Sequence, residues 1–150
     1  MVTYVDADAA PVKNTGQIRL YGPEAFAAMQ RAGQLAAACL DGLADIVKPG
    51  VPTDEIDRYV YEFGADHGAL PATLGYRGYT KSTCTSINHV VCHGIPDDKP
   101  LKDGDIVNVD VTYILDGWYG DSSRMYLVGD VKRAAARLVE VTYESLMRGI

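Results

Sequence analysis

The stretch 105–128, D-I-V-N-V-D-V-T-Y-I-L-D-G-W-Y-G-D-S-S-R-M-Y-L-V, constrains this chain more than any other. Asp116-Gly117 is the dipeptide that most strongly signals a two-residue hairpin loop. Such a loop sets the register: Leu115 faces Trp118, and every opposed pair of residue numbers sums to 233. Asp110 then lies opposite Ser123, and Asp121 opposite Thr112. Side chains alternate along a strand, so Asp110, Thr112 and Asp121 share one face. The two carboxylates are diagonal cross-strand neighbours, roughly 7 Å or less apart at Cβ.

The opposite face of the first strand carries Val107, Val109, Val111, Tyr113 and Leu115, an apolar row that requires burial. On the Asp face, Ile106, Ile114, Met125 and Leu127 flank the polar centre and predict that this face is covered too. Two carboxylates under such a cover repel unless a cation or a shared proton compensates. The pattern therefore points to a metal site. The ordinary alternative for two Asp in a hairpin is a solvated sheet face.

A length of 150 residues suits one domain with a real core. A net charge of −6 argues against nucleic acid or an anionic membrane as partner. No apolar run approaches a membrane span, and the N-terminus lacks the form of a signal peptide. The three cysteines, Cys39, Cys84 and Cys92, lack metal-finger spacing and fit reduced thiols. The chain is expected to be cytoplasmic.

Residues 1–17 are expected to form a mobile N-terminal arm, and 18–150 a single folded unit. Pro23 opens a helix, with Phe26, Met29, Gly33, Ala36, Leu40, Leu43 and Val47 as its buried stripe. A second helix is capped by Thr53, buries Ile56, Tyr59, Val60 and Phe63, and ends near Gly64. Both helices read as scaffold. Residues 67–81, rich in Gly and Tyr, read as a loop whose rings either wall a pocket or plug the core. Residues 83–87 and 90–92 are expected to form a further hairpin turning at Asn88-His89, with His89 solvated and His93 at the sheet end. Helical spacing returns over 131–148, with Ala135, Leu138, Thr142 and Leu146 along one side. The predicted class is α+β, with helices covering one face of an antiparallel sheet.

The run K-S-T-C-T-S-I-N-H-V-V-C-H-G-I-P-D-D-K-P-L-K-D-G-D-I-V-N-V-D-V, followed by D-G-W-Y-G-D-S-S-R-M-Y, closely resembles type I methionine aminopeptidase of the bacterial kind. The resemblance implies the creatinase-like, or pita-bread, fold, of which this chain would be the first half. It implies two divalent metal ions, with Mn, Fe, Co and Zn not distinguished. Asp110 and Asp121, eleven residues apart, would be the first-half ligands. His93 would hydrogen-bond the substrate and stabilise the transition state. Tyr76, Tyr79 and Cys84 would line the pocket for methionine. The substrate implied is the N-terminal Met of nascent polypeptides.

The chain departs from the family where His89 replaces a common Glu and Thr73 a common Cys. The family's remaining ligands, one His and two Glu, belong to its second half, whereas His67, His89 and His93 all precede the Asp pair. The 150 residues alone are thus expected to bind metal weakly and to lack turnover, and to self-associate through the surface a second half would cover. The alternative is a non-catalytic half-domain that binds a protein or completes a split enzyme.

Overall fold

The computed structural model describes residues 3–6 and 17–150. Strands β1 (Thr3–Asp6) and β2 (Gln17–Leu20) pair in parallel. Strand β1 and Gln17 of β2 thus fall within the expected arm, whose other residues lie outside the described ones. Helix α1 (Pro23–Leu43) follows, then α2 (Thr53–Asp66). Next come β3 (Leu70–Pro71), a 3₁₀ turn at Tyr76–Gly78, and β4 (Cys84–Ile87). Strands β5 (Ile106–Leu115) and β6 (Trp118–Leu127) make the long hairpin, and α3 (Arg133–Gly149) comes last. No helix among the described residues is long and apolar enough to cross a membrane.

The β5–β6 register is the one the turn demands. Asp110 pairs Ser123, Thr112 pairs Asp121, and Leu115 pairs Trp118. Asp116 and Gly117 both take left-handed φ, 51° and 81°, as a tight hairpin of this hand requires. The other edge of β5 is shared end to end: β4 pairs residues 107–110, and β3 pairs Ile114 and Tyr113. All three partners run antiparallel to it.

The apolar row of β5 is the centre of the core. Val107, Val109, Val111 and Tyr113 are fully buried against Leu35, Ala36, Cys39, Leu40 and Leu43 of α1 and Ile56 and Val60 of α2. Two buried hydroxyls stitch the layers: Tyr113 Oη donates to Val60 O (2.5 Å) and Tyr126 Oη to Leu40 O (2.5 Å). Arg124 of β6 pairs with Asp41 of α1 at 2.7 Å. The helix sits so close that a Cβ on Gly120 of β6 would overlap the Ala32 carbonyl and come 2.6 Å from Gly33 N.

Four expectations are corrected. The stripe of α1 is Ala32, Leu35, Ala36, Cys39, Leu40 and Leu43, while Phe26 and Met29 are exposed because the first turns bury nothing. Thr53 is the first helical residue of α2, behind a Pro52 cap, and its hydroxyl serves residue 97 instead of its own helix. Residues 90–92 form no strand. Gly94 takes the role expected of them, its carbonyl accepting from Thr85 N (2.8 Å) and its N–H donating to Ser86 Oγ (3.1 Å). Finally, α1 and α2 cover the sheet but α3 buries none of its residues, with Leu138 and Leu146 both exposed.

Candidate active site

Asp110 and Asp121 stand on the sheet face turned away from the helices. Asp110 is half-buried, and Asp121 is exposed and accepts a hydrogen bond from Thr112 Oγ1 at 2.9 Å. Thr112 thereby holds one carboxylate from the strand that bears the other. The cover expected from Ile106, Ile114, Met125 and Leu127 is incomplete: Ile106 is buried, but Leu127 is 46% exposed and Tyr119 56%. Within this chain the Asp face is open.

Burial pushes the Asp110 carboxyl above the usual aspartate range, the charge of Asp121 pushes it further, and His93 opposes both. The ion pairs among the described residues include neither Asp110 nor Asp121. Neighbouring carboxylates of this kind are oxygen donors that divalent cations take. They fit part of a metal site. Among the described residues no group of three or more His, Cys, Asp or Glu is arranged to hold an ion.

A cavity of about 730 Å³ opens beside the pair. It is lined by Tyr76, Tyr79, Cys84, His93, Asp110 and Asp121, and by Thr73 and Arg77 at the loop. All six residues singled out from the sequence thus meet in one place. The loop 67–81 walls this cavity; Tyr76 is 63% exposed, so it does not plug the core. Tyr79 is tied down, its hydroxyl donating to Thr83 O at 2.9 Å and reaching Gly94 O at 3.4 Å. Thr73 donates to Lys81 O at 3.1 Å and so closes the loop's base.

His93 reaches the cavity from an exposed loop, not from a strand end, and holds a left-handed φ of 56°. A side chain in that region is strained, and the Gly94 contacts with β4 keep it there. Burial raises the Cys84 thiol pKa, so it is a neutral, apolar part of the wall. His89 is exposed, as its turn position implied, and His67 is used by its own helix, through Nδ1 and Phe63 O at 2.8 Å.

The residues that reasoning from the sequence missed lie one layer behind. Asp57 of α2 accepts the backbone N–H groups of Ser82 (2.6 Å) and Thr83 (3.2 Å). Thr83 Oγ1 in turn donates to Asp110 O at 2.5 Å. In the sequence Asp57 has the look of a solvated helix acid, and no local signal separates it from Asp54 or Glu55.

The sequence profile of metallopeptidase family M24 matches residues 27–150, and the chain belongs to that family. It is 57% identical over 133 residues to a methionine aminopeptidase of Rickettsia prowazekii, covering 89% of this chain and 51% of that protein. It is 47% identical over 147 residues to an Arabidopsis thaliana methionine aminopeptidase of chloroplast and mitochondrion, covering 98% of this chain and 42% of the other. The crystal structure of the Rickettsia prowazekii enzyme superposes with a TM-score of 0.87 over 89% of this chain and 54% of its own. An Escherichia coli aminopeptidase P, 22% identical, shares the fold with a TM-score of 0.71 over 84% of this chain and 28% of its own. The α+β architecture is therefore that of the pita-bread metallopeptidases. The chain spans about half the length of the curated relatives it matches.

Proposed function

We propose that this chain is part of a metal-dependent methionine aminopeptidase, acting in the cytoplasm on the N-terminal Met of nascent polypeptides. The observation that carries the reading is the single cavity joining an acidic pair, a histidine and an apolar wall. Tyr76, Tyr79 and Cys84 would hold the unbranched methionine side chain, which suits a pocket of rings and a thiol. His93 would donate a hydrogen bond to the scissile carbonyl and stabilise the charge that develops there. Asp110 and Asp121 would hold divalent ions. When bound, such ions supply Lewis acidity and lower the pKa of a water toward neutrality.

Two carboxylates are too few donors for a pair of transition-metal ions, each of which takes roughly four or more. Residues 1–150 alone are therefore proposed to bind metal weakly and to release no methionine. The reading is tested by a chimera that carries residues 18–150 in place of the matching part of the Rickettsia prowazekii enzyme. The chimera should release methionine from Met-Ala-Ser with added Mn²⁺, and Asp110→Asn or Asp121→Asn should abolish that release. A folded chimera without activity, or one indifferent to both substitutions, would overturn the proposal.

A further inference from the structure

Residues 81–97 carry both Cys84 and His93, and both ends of this segment are fastened to the start of α2. At one end the Lys81 ammonium pairs with the Asp54 carboxylate, and Asp57 Oδ1 accepts the N–H groups of Ser82 and Thr83. At the other end Thr53 Oγ1 accepts from Asp97 N (2.9 Å), and Asp54 N donates to Asp97 O (2.9 Å). The fastening continues into the site. Thr83, fully buried, donates through Oγ1 to Asp110 O, and its own carbonyl accepts from Tyr79 Oη.

From this we infer that Asp57 is a positioning residue of the site, holding the Ser82–Thr83 backbone so that Cys84, Tyr79 and the Asp110 strand keep one arrangement. The inference rests on the proposed function for its meaning, though not for its test. Asp57 touches no substrate-facing atom; it acts through Thr83. Its carboxylate is half-buried, where burial opposes ionisation and the Ser82 and Thr83 amides favour it. A buried carboxylate is tolerated when backbone donors satisfy it, and the donors in turn are left unpaired when it is removed. What it holds is the pocket wall and not the apolar core, which α1, α2 and β5 build without it.

The experiment uses the 150-residue chain in a Cys92→Ser background, so that Cys84 is the thiol at the cavity and buried Cys39 reports global opening. Hydrogen exchange and thiol labelling are measured for wild type, Asp57→Ala and Asp57→Asn. Asp57→Ala should speed exchange at Ser82 and Thr83, and labelling of Cys84, by about tenfold, while Val109, Val111 and Cys39 stay as in wild type. Asp57→Asn keeps an acceptor oxygen and should restore both rates to within about threefold of wild type. Unchanged exchange at Ser82 and Thr83 in Asp57→Ala would overturn the inference. So would an equal acceleration at Val109, Val111 and Cys39, or an Asn variant as impaired as Ala. If Asp57→Ala does not fold, Thr83→Val decides: Cys84 labelling must rise while Ser82 exchange does not, and unchanged labelling sinks the link. None of these readings needs metal or turnover, so an inactive chimera with an intact brace would refute the function and leave this inference standing.

Discussion

Gly120→Ala tests how closely the site's strands depend on α1. A Cβ at this position would lie 2.6 Å from Gly33 N, about 0.8 Å short of the roughly 3.4 Å at which ordinary contact begins, and would overlap the Ala32 carbonyl. The obstacle is helix backbone, so no side-chain rotation relieves it, and α1 and β6 must separate. Overpacking of this kind costs about 1–3 kcal/mol, and rigid backbone places it near the upper end. For a domain of this size about 3 kcal/mol lowers Tm by roughly 6–12 °C. The paired control is Gly33→Ala, where nothing lies within 4 Å of the new Cβ. Inside a helix that change should stabilise by about 0.5–1 kcal/mol. Thermal unfolding followed by circular dichroism reads both. A Gly120→Ala variant melting within about 2 °C of wild type would refute the close approach and the placement of β6 under α1. Because Asp121 is the next residue, the same shift should also disturb the acidic pair.

Three further outcomes follow from the same geometry. Tyr113→Phe removes a buried hydroxyl bonded to Val60 O and should cost about 0.5–1.5 kcal/mol in denaturant unfolding, with no change in slope. The Asp110 pKa is raised on folding, so its ionisation opposes folding: the stability is present below the ordinary value of 3.8 and lost as pH rises through the higher folded value. Metal-free Asp110→Asn should accordingly out-melt wild type at pH 7 and lose that advantage at pH 3. The open Asp face exposes Tyr119 and Leu127, and α3 exposes Leu138, Tyr143 and Leu146; the isolated chain should associate, and a monomer across a wide concentration range in sedimentation would count against this.

The hairpin and its register were legible because a two-residue turn leaves no freedom and alternation then assigns every face. The acidic pair followed from that register, and the apolar row of β5 from the same alternation. Helical periodicity told which side of α1 was apolar, but Phe26 and Met29 show that it does not tell how far the opposing sheet extends. Val90 and Val91 have strand chemistry yet lie exposed, because the backbone of Gly94 holds the hydrogen bond a neighbouring strand would have made. The amphipathic spacing of α3 was visible, while whether anything covers it is a tertiary fact with no local signature. Asp57 was illegible for the same reason: its role is set by where residues 82 and 83 pass, not by its neighbours in α2.

The central claim is that Asp110 and Asp121 form one site, and thermal unfolding of wild type and Asp121→Asn, each with EDTA and with excess Mn²⁺, tests it most directly. If the carboxylates share a site, Asp121→Asn should melt no lower than wild type in EDTA, since it relieves repulsion, and only wild type should gain stability with Mn²⁺. Equal melting temperatures in all four conditions would mean two separately solvated carboxylates and no metal site.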